Sequence, residues 1–306
     1  MERIEGFLII DKPQGITSAD VVRVVKKALK VKKVGYIGTL DPIATGVLPV
    51  GIGRATKVFP FLEKMDKVYE ATMTLGSATD TQDSTGAVTS QADPSGITDE
   101  MVKEAMAGFT GEIQQIPPMY SAKKIDGERL YDLARQGITV ERKPVTAHIK
   151  ELSFISKEGN VVRFTAKVST GSYIRTLCND IGEKLGVYAH LSGLIRAATG
   201  HFTLENSIPL DELKEGGFEK AQERILSLSD GLSNLSKAVV IAHAVDRLRN
   251  GMPVSVSEVA TYEDAPGTGY VRIVNKTGEL MAIGMKTGIP MAGFPFTTIQ
   301  PKKVLL

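Results

Sequence analysis

The 306-residue sequence predicts an α+β fold: a mixed, largely antiparallel sheet with flanking helices, followed by a small, mostly β domain. Three observations carry that expectation. Residues 67–76 and 161–168 alternate with the two-residue period of half-buried strands. Helical patterns fall between and after them without a regular strand–helix–strand rhythm. From about residue 235 the texture is one of short strands and turns. At roughly 150 residues per domain the length leaves room for two, and the expected division is 1–234 and 235–306.

The elements can be justified in chain order. Phe7 to Ile10 is a short apolar run closed by a charge and a proline, too short for a signal segment or a membrane span. Thr17-Ser18-Ala19-Asp20 opens a helix in the manner of a capping box, and Val21, Val22, Val25 and Leu29 then recur on one face. Arg23, Lys26, Lys27 and Lys30 fall elsewhere, and Lys32 and Lys33 extend the run, so six cations stand between 21 and 33 without an acid. Such a density suits phosphates, while a solvated helix face is its ordinary reading.

In 67–76, Tyr69, Ala71, Met73 and Leu75 share one side; in 161–168, Val162, Phe164, Ala166 and Val168 do. Between these strands lie a Gly/Asp/Thr-rich loop from Ser77 to Gly96, a helix opened by Thr98 with Asp99 and Glu100 in its first turn, and a helix from about Glu128 to Arg135 stopped by Gly137. Ile174, Leu177, Cys178, Ile181 and Leu185 mark an amphipathic helix closed by Gly186. A polar, helical stretch from about Asn206 to Lys237 precedes short strands with a turn at Lys276-Thr277-Gly278. No internal repeat of fixed period is present.

Composition narrows the class. With 42% hydrophobic and 24% charged residues the chain is neither fibrous nor disordered, and no stretch reaches the 18 or so apolar residues of a membrane helix. The single cysteine, Cys178, excludes an internal disulfide and multi-cysteine metal sites, which suits a reducing compartment; a cytoplasmic location is expected. A net charge of +2 does not by itself mark a nucleic-acid binder.

The sequence also lacks the signatures of several chemistries. There is no phosphate-binding G-x-x-x-x-G-K-[ST] loop, and Gly51-Ile52-Gly53-Arg54-Ala55-Thr56 lacks the third glycine of the dinucleotide fingerprint. His148, His190, His201 and His243 have no metal-ligand spacing. No G-x-S-x-G elbow occurs, and Cys178 sits on the apolar face of its helix. Neither a cofactor nor a metal is expected. What remains is chemistry run by a carboxylate with arginine and tyrosine in support.

One segment is dense enough to host it. Gly35 to Val50 packs glycines around a single carboxylate, Asp41, with Pro42 fixing the turn after it. Alone, an Asp-Pro pair is a turn initiator or a helix cap. Together with Lys12-Pro13-Gln14-Gly15-Ile16-Thr17-Ser18, however, the segment resembles the TruB family of bacterial tRNA pseudouridine 55 synthases, whose nucleophile aspartate lies in a G-[TA]-L-D-P context. The likeness continues through Lys67-Val68-Tyr69, Gln115 to Lys124, Gly171 to Thr176, His190-Leu191 and Leu194-Ile195-Arg196, in order, over roughly residues 6–205.

The resemblance implies a pseudouridine synthase fold, Asp41 as catalytic carboxylate, and no cofactor or metal. It implies tRNA, through its T stem-loop, as the partner, with no obligate protein partner and no membrane. Residues 235–306 are similar in size and place to the family's PUA RNA-binding domain. By resemblance Tyr69 stacks on the target uracil, Tyr173 and Leu194 form further pocket walls, and Lys12 is a structural or RNA-side lysine. Arg175 suits Asp41 as a planar, permanently charged partner that keeps the carboxylate ionised and aimed. Lys32 and Lys33 would grip the RNA backbone. Tyr36 and Ile37 depart from the pattern, which has histidine at the first position and usually Thr or Gly at the second; a tyrosine can still stack on a base. The carboxylate can attack C1′ or take a proton from C2′, and the sequence leaves both open.

Three other readings compete: an RNA-binding folding helper without catalysis, a related synthase acting on another RNA, and a carboxylate glycosidase. The last needs a second acid, and Asp80 and Asp83 read as turn formers in their loop.

Overall fold

The computed structural model describes residues 4–121, 123–125, 127–265, 267, 269–291 and 293–306, apart from the side chains of Lys124 and Arg129. Ala122 and the Lys124 side chain, within the resembling stretch 115–124, therefore lie outside the described residues.

Among these residues a ten-stranded mixed sheet forms the body of the fold. Its main path runs Ile208–Pro209, Gly6–Lys12, Ala44–Ile52, Ala189–Thr199, Lys67–Leu75, Val161–Val168, Val145–Glu158 and Gly111–Gln115. Two neighbours along it are parallel, Gly6–Lys12 with Ile208–Pro209 and Ala44–Ile52 with Ala189–Thr199, and the rest are antiparallel. The α+β architecture is the one the sequence predicts.

The alternating side chains do what their period requires. Tyr69, Ala71, Met73 and Leu75 share one core with Val162, Phe164, Ala166 and Val168. Against them pack α1 (Ser18–Leu29) through Val21, Val25 and Leu29, α2 (Asp99–Ala107) through Val102, Ala105 and Met106, and α4 (Ile174–Lys184) through Leu177, Cys178 and Ile181. Thr17 and Asp20 close the expected capping box, satisfying donors that the first helical turn leaves open. The basic residues of α1 are all exposed. Helix α3 is short, Leu130–Arg135, and α5 (Leu210–Arg224) is kinked at Gly217, where φ is 54°.

The stretch 77–96 is not only a loop. Ser77–Thr79 and Val88–Gln91 pair as a small two-stranded sheet joined by residues 80–87. Strands of three and four residues are too short to display alternation, so the Gly/Asp/Thr composition of the turn hides them.

A second sheet begins at Ser236 and orders Val254–Ser255, Thr298–Val304, Leu280–Thr287, Tyr270–Val274, Ser236–Val240 and Val259–Glu263, with α6 (Ala242–Arg249) beside it. It is packed on the first sheet rather than strung from it. Phe7, Ile9 and Val47 of the large sheet share a core with Leu232, Leu235, Val274, Leu280, Ile283 and Leu305. Arg54 adds a polar tie, pairing with Glu5 and donating to the Leu305 carbonyl at 2.6 Å.

The parallel pairing at the middle of the large sheet positions the site. Asp41 precedes the strand Ala44–Ile52, against which Leu194 and Arg196 register with Ala44 and Gly46. On the far side of that neighbour, Tyr69 faces Arg196 and Ala71 faces Leu194. Gly46 makes the close approach possible. Its φ is +98°, and a Cβ there would lie 2.4 Å from the Arg196 carbonyl oxygen.

Candidate active site

A cavity of about 300 Å³ opens at this junction, and Asp41, Tyr69, Tyr173, Arg175 and Leu194 all line it. Four separate segments are thus brought to one place. Lys67, Ser121 and Arg196 line it as well.

Arg175 is the hub. Its side chain is only 6% exposed, and Nε lies 3.1 Å from Asp41 Oδ2, whose own side chain remains 38% open toward the cavity. Nη1 donates to the Thr81 carbonyl at 3.1 Å and approaches Asp83 Oδ2 at 3.4 Å; Nη2 donates to the Tyr120 carbonyl at 2.7 Å. All three nitrogens are therefore engaged in fixed directions, and one of them is spent on Asp41.

Its placement comes from the entry to α4. The Tyr173 N–H donates to Gln115 Oε1 at 2.9 Å, and Gln115 Nε2 donates to the Tyr173 carbonyl at 3.1 Å, so one buried amide holds the backbone two residues before Arg175.

The turn-former reading of Asp83 is incomplete. One of its oxygens, Oδ1, accepts from Thr81 Oγ1 at 2.8 Å, from the Thr85 N–H at 3.0 Å and from the Thr85 hydroxyl, which is turn chemistry. The other, Oδ2, faces Arg175. Gln82 between Thr81 and Asp83 adopts φ 62°, uncommon for a side chain of its size, and this directs both neighbours inward. The sequence signal was the Thr-x-Asp-x-Thr spacing of 81–85, in which a single carboxylate has hydroxyls on both sides.

The loop bearing Asp41 is held from two directions. Ser18 Oγ donates to the Leu40 carbonyl at 3.0 Å and accepts from the Leu40 N–H at 2.9 Å. Arg196, fully buried, donates through Nε to the Val47 carbonyl at 2.7 Å and through Nη2 to the Gly38 carbonyl at 2.9 Å. Both residues stand in stretches that carry the resemblance, yet the sequence assigns neither a role, because both act on backbone groups of residues distant along the chain.

Lys12 requires a correction as an RNA-side residue. Its side chain is 0% exposed, and Nζ donates to the carbonyls of Ile16 at 2.7 Å and Pro13 at 2.9 Å. It braces the turn before α1 and presents no charge to solvent. Lys32 and Lys33 are exposed, and Tyr36 is half-buried against the core. None of these three lines the cavity. Ile37 is buried in the core shared by the two sheets.

The electrostatics follow from these neighbours. Burial pushes the Asp41 carboxyl above its ordinary range; Arg175 pulls it down, Asp83 pushes it up and Lys12 pulls it down. Burial lowers the Lys12 and Lys67 ammonium groups to about 8 each. Since Asp41 holds its proton more tightly when folded, the stability it contributes is present at low pH and is lost as pH rises through its raised pKa. Any reaction that uses Asp41 as nucleophile or base would have the opposite sense, because only the ionised carboxylate can serve.

The single-turnover rate should fall on the acid side with a midpoint above the ordinary aspartate value of about 4; a pH series measures it. Asp83→Asn should move that midpoint down, because it removes a neighbouring negative charge, and should lower the plateau rate by roughly 10- to 100-fold as Arg175 loses one of its anchors. Binding of substrate should be little changed. A stopped-time assay across pH, paired with equilibrium binding, separates the two effects.

Comparison with known proteins gives a consistent set of relatives. Residues 26–174 match the TruB family pseudouridylate synthase N-terminal domain, and residues 175–239 match the tRNA pseudouridylate synthase B C-terminal domain. A protein of Geobacter sulfurreducens named tRNA pseudouridine synthase B is 44% identical over 267 residues, 87% of this chain and 87% of that protein. The Clostridium tetani protein of the same name is 42% identical over 284 residues, 93% of this chain and 96% of its own. Among solved structures, a chain from a Cbf5-Nop10-Gar1 complex aligns with a TM-score of 0.74 at 30% identity, covering 98% of this chain and 84% of that one. A chain from an H/ACA RNP bound to a substrate RNA containing 2′-deoxyuridine aligns with a TM-score of 0.75 at 28% identity, covering 98% of this chain and 85% of that one.

Proposed function

The chain belongs to the TruB family of pseudouridylate synthases, and from that premise we propose that it isomerises uridine 55 in the T loop of tRNA, with Asp41 as the reacting carboxylate. The observation that carries the residue-level reading is the 3.1 Å contact of Arg175 Nε with Asp41 Oδ2, at a cavity whose walls include Tyr69, Tyr173 and Leu194.

The reaction breaks the N1–C1′ bond, turns the uracil and forms a C5–C1′ bond. C5 gives up its hydrogen as a proton and N1 gains one, so atoms and charge balance without a redox step. A carboxylate whose ionised form a guanidinium favours against burial serves the sugar side, as nucleophile at C1′ or as base toward C2′–H. A rate difference on deuterating C2′ separates the two, since only the second breaks that bond.

A uridine stacked in the T loop must leave the stack to reach Asp41. In this reading Tyr69, buried on the cavity wall, is the platform on which the extruded uracil stacks, with Tyr173 and Leu194 closing the sides. Arg175 aims and neutralises the carboxylate. The exposed Lys32 and Lys33, with Tyr36 nearby, grip the RNA outside the pocket, and residues 235–306 act as a PUA-like second RNA-binding domain. The cytoplasm is the compartment in which such an activity meets its substrate.

The test is to incubate the purified chain with unmodified tRNA transcript and with one carrying cytidine at position 55, and to map pseudouridine. Modification confined to position 55 of the first transcript supports the reading. Modification at another uridine, or undiminished pseudouridine in the second, would overturn it.

A further inference from the structure

Most polar groups lining the cavity are already committed to the protein. Arg175 and Arg196 donate to carboxylates and carbonyls as described, and Lys67 Nζ donates to the Met65 carbonyl at 2.7 Å and to Thr170 Oγ1 at 2.5 Å. Ser121 differs. It is 5% exposed and lines the cavity, yet among the described residues no group completes a hydrogen bond to its hydroxyl.

Its backbone is fixed. The Ser121 N–H donates to the Met119 carbonyl at 3.0 Å, its carbonyl accepts from the Tyr131 N–H at 3.0 Å, and the preceding carbonyl, of Tyr120, is the one that anchors Arg175. Burial pushes the Tyr173 phenol above its ordinary range, and the Ser121 hydroxyl beside it pulls the other way, although the two lie outside hydrogen-bond geometry. A hydroxyl desolvated this far and left without a partner has its bond completed by whatever fills the cavity.

We infer that Ser121 Oγ donates a hydrogen bond to the uracil carbonyl at the O4 position of the extruded uridine and keeps a bond at that same point, now to O2, in the product. The inference rests on the uridine-isomerisation reading above. Its chemical basis is the turn of the base. For C5 to take the place of N1, the detached ring either turns over about its N3–C6 axis or rotates in its plane. Both movements carry C2, with its oxygen, to where C4 stood. The O2 position has no such property, because in-plane rotation brings C6–H there. A fixed donor that serves substrate and product alike by either route belongs at O4.

The experiment compares wild type and Ser121→Ala on two tRNA substrates, one with uridine and one with 4-thiouridine at the target, in single-turnover rate measurements. Sulfur accepts hydrogen bonds weakly, so wild type should slow by roughly 3- to 10-fold on the thio substrate. Ser121→Ala should slow by a similar factor on uridine and lose nothing further on 4-thiouridine, while its melting temperature and tRNA affinity match wild type. Ser121→Cys, which keeps a donor but a weaker one on a larger atom, should fall between. An unchanged rate for Ser121→Ala on uridine, or losses that multiply in the combination, would overturn the inference; the second result would leave Ser121 a structural residue. Failure of wild type to form pseudouridine from uridine would instead overturn the isomerase reading, and this inference with it.

Discussion

Asp41→Asn is expected to lower pseudouridine formation by about 10⁴-fold or more while leaving tRNA affinity within a few-fold of wild type. The asparagine keeps the shape of the side chain and offers Arg175 an oxygen, so the cavity should stay assembled. It cannot attack a sugar carbon or hold a sugar proton. The expected signature is therefore a loss confined to the chemical step. Rapid-quench kinetics at saturating enzyme, with a binding titration of the same variant, checks it.

Arg175→Ala is expected to damage both fold and chemistry. The side chain serves two carboxylates and the carbonyls of Thr81 and Tyr120, all at or next to the buried rim of the cavity. Its removal leaves the Asp83 carboxylate without its cation, which typically costs about 3–5 kcal/mol for a buried pair. Asp41 loses the group that lowers its pKa, so the acid limb of the rate profile should move to higher pH. The rate at neutral pH should fall by roughly 10²-fold or more. Arg175→Lys should retain part of the pH shift, since the charge remains, but little of the geometry, because a single ammonium cannot reach the directions the planar fork reaches. Denaturant unfolding and a pH–rate series on both variants distinguish charge from geometry.

The elements that were legible in the sequence are those decided locally. The strands at 67–75 and 161–168 announce themselves because one face is buried and the other is not, and α1 announces itself because its cap lies within four residues of its first apolar position. Asp41 stood out through resemblance, since its local context alone reads as a turn, and Arg175 through resemblance and the chemistry of pairing; the two meet at the cavity. The rest of the site depends on contacts distant in sequence. Asp83 and Arg175 are 92 residues apart, and Gln115 and Tyr173 are 58 apart. Nothing in the turn composition of 77–96 distinguishes a carboxylate that only shapes a loop from one that also holds an arginine. Lys12 illustrates the converse. The resemblance left it either structural or RNA-side, and its burial, with two carbonyls in reach, decides for the scaffold. The shift in texture near 235 was visible, whereas nothing local in the sequence marks Phe7, Leu232 and Leu235 as partners in the core that joins the two sheets.

In the proposed reaction Asp41, aimed by Arg175, exchanges the N1–C1′ bond of a tRNA uridine for a C5–C1′ bond. The most direct measurement is release of tritium from tRNA transcript made with [5-³H]uridine, with no cofactor added, for wild type and Asp41→Asn side by side. One equivalent released per tRNA by wild type, and none by a variant that still binds tRNA, is the predicted result. Release by Asp41→Asn at the wild-type rate would contradict the role given to that carboxylate. Tight tRNA binding by wild type without any release would contradict the isomerase account and favour a folding helper.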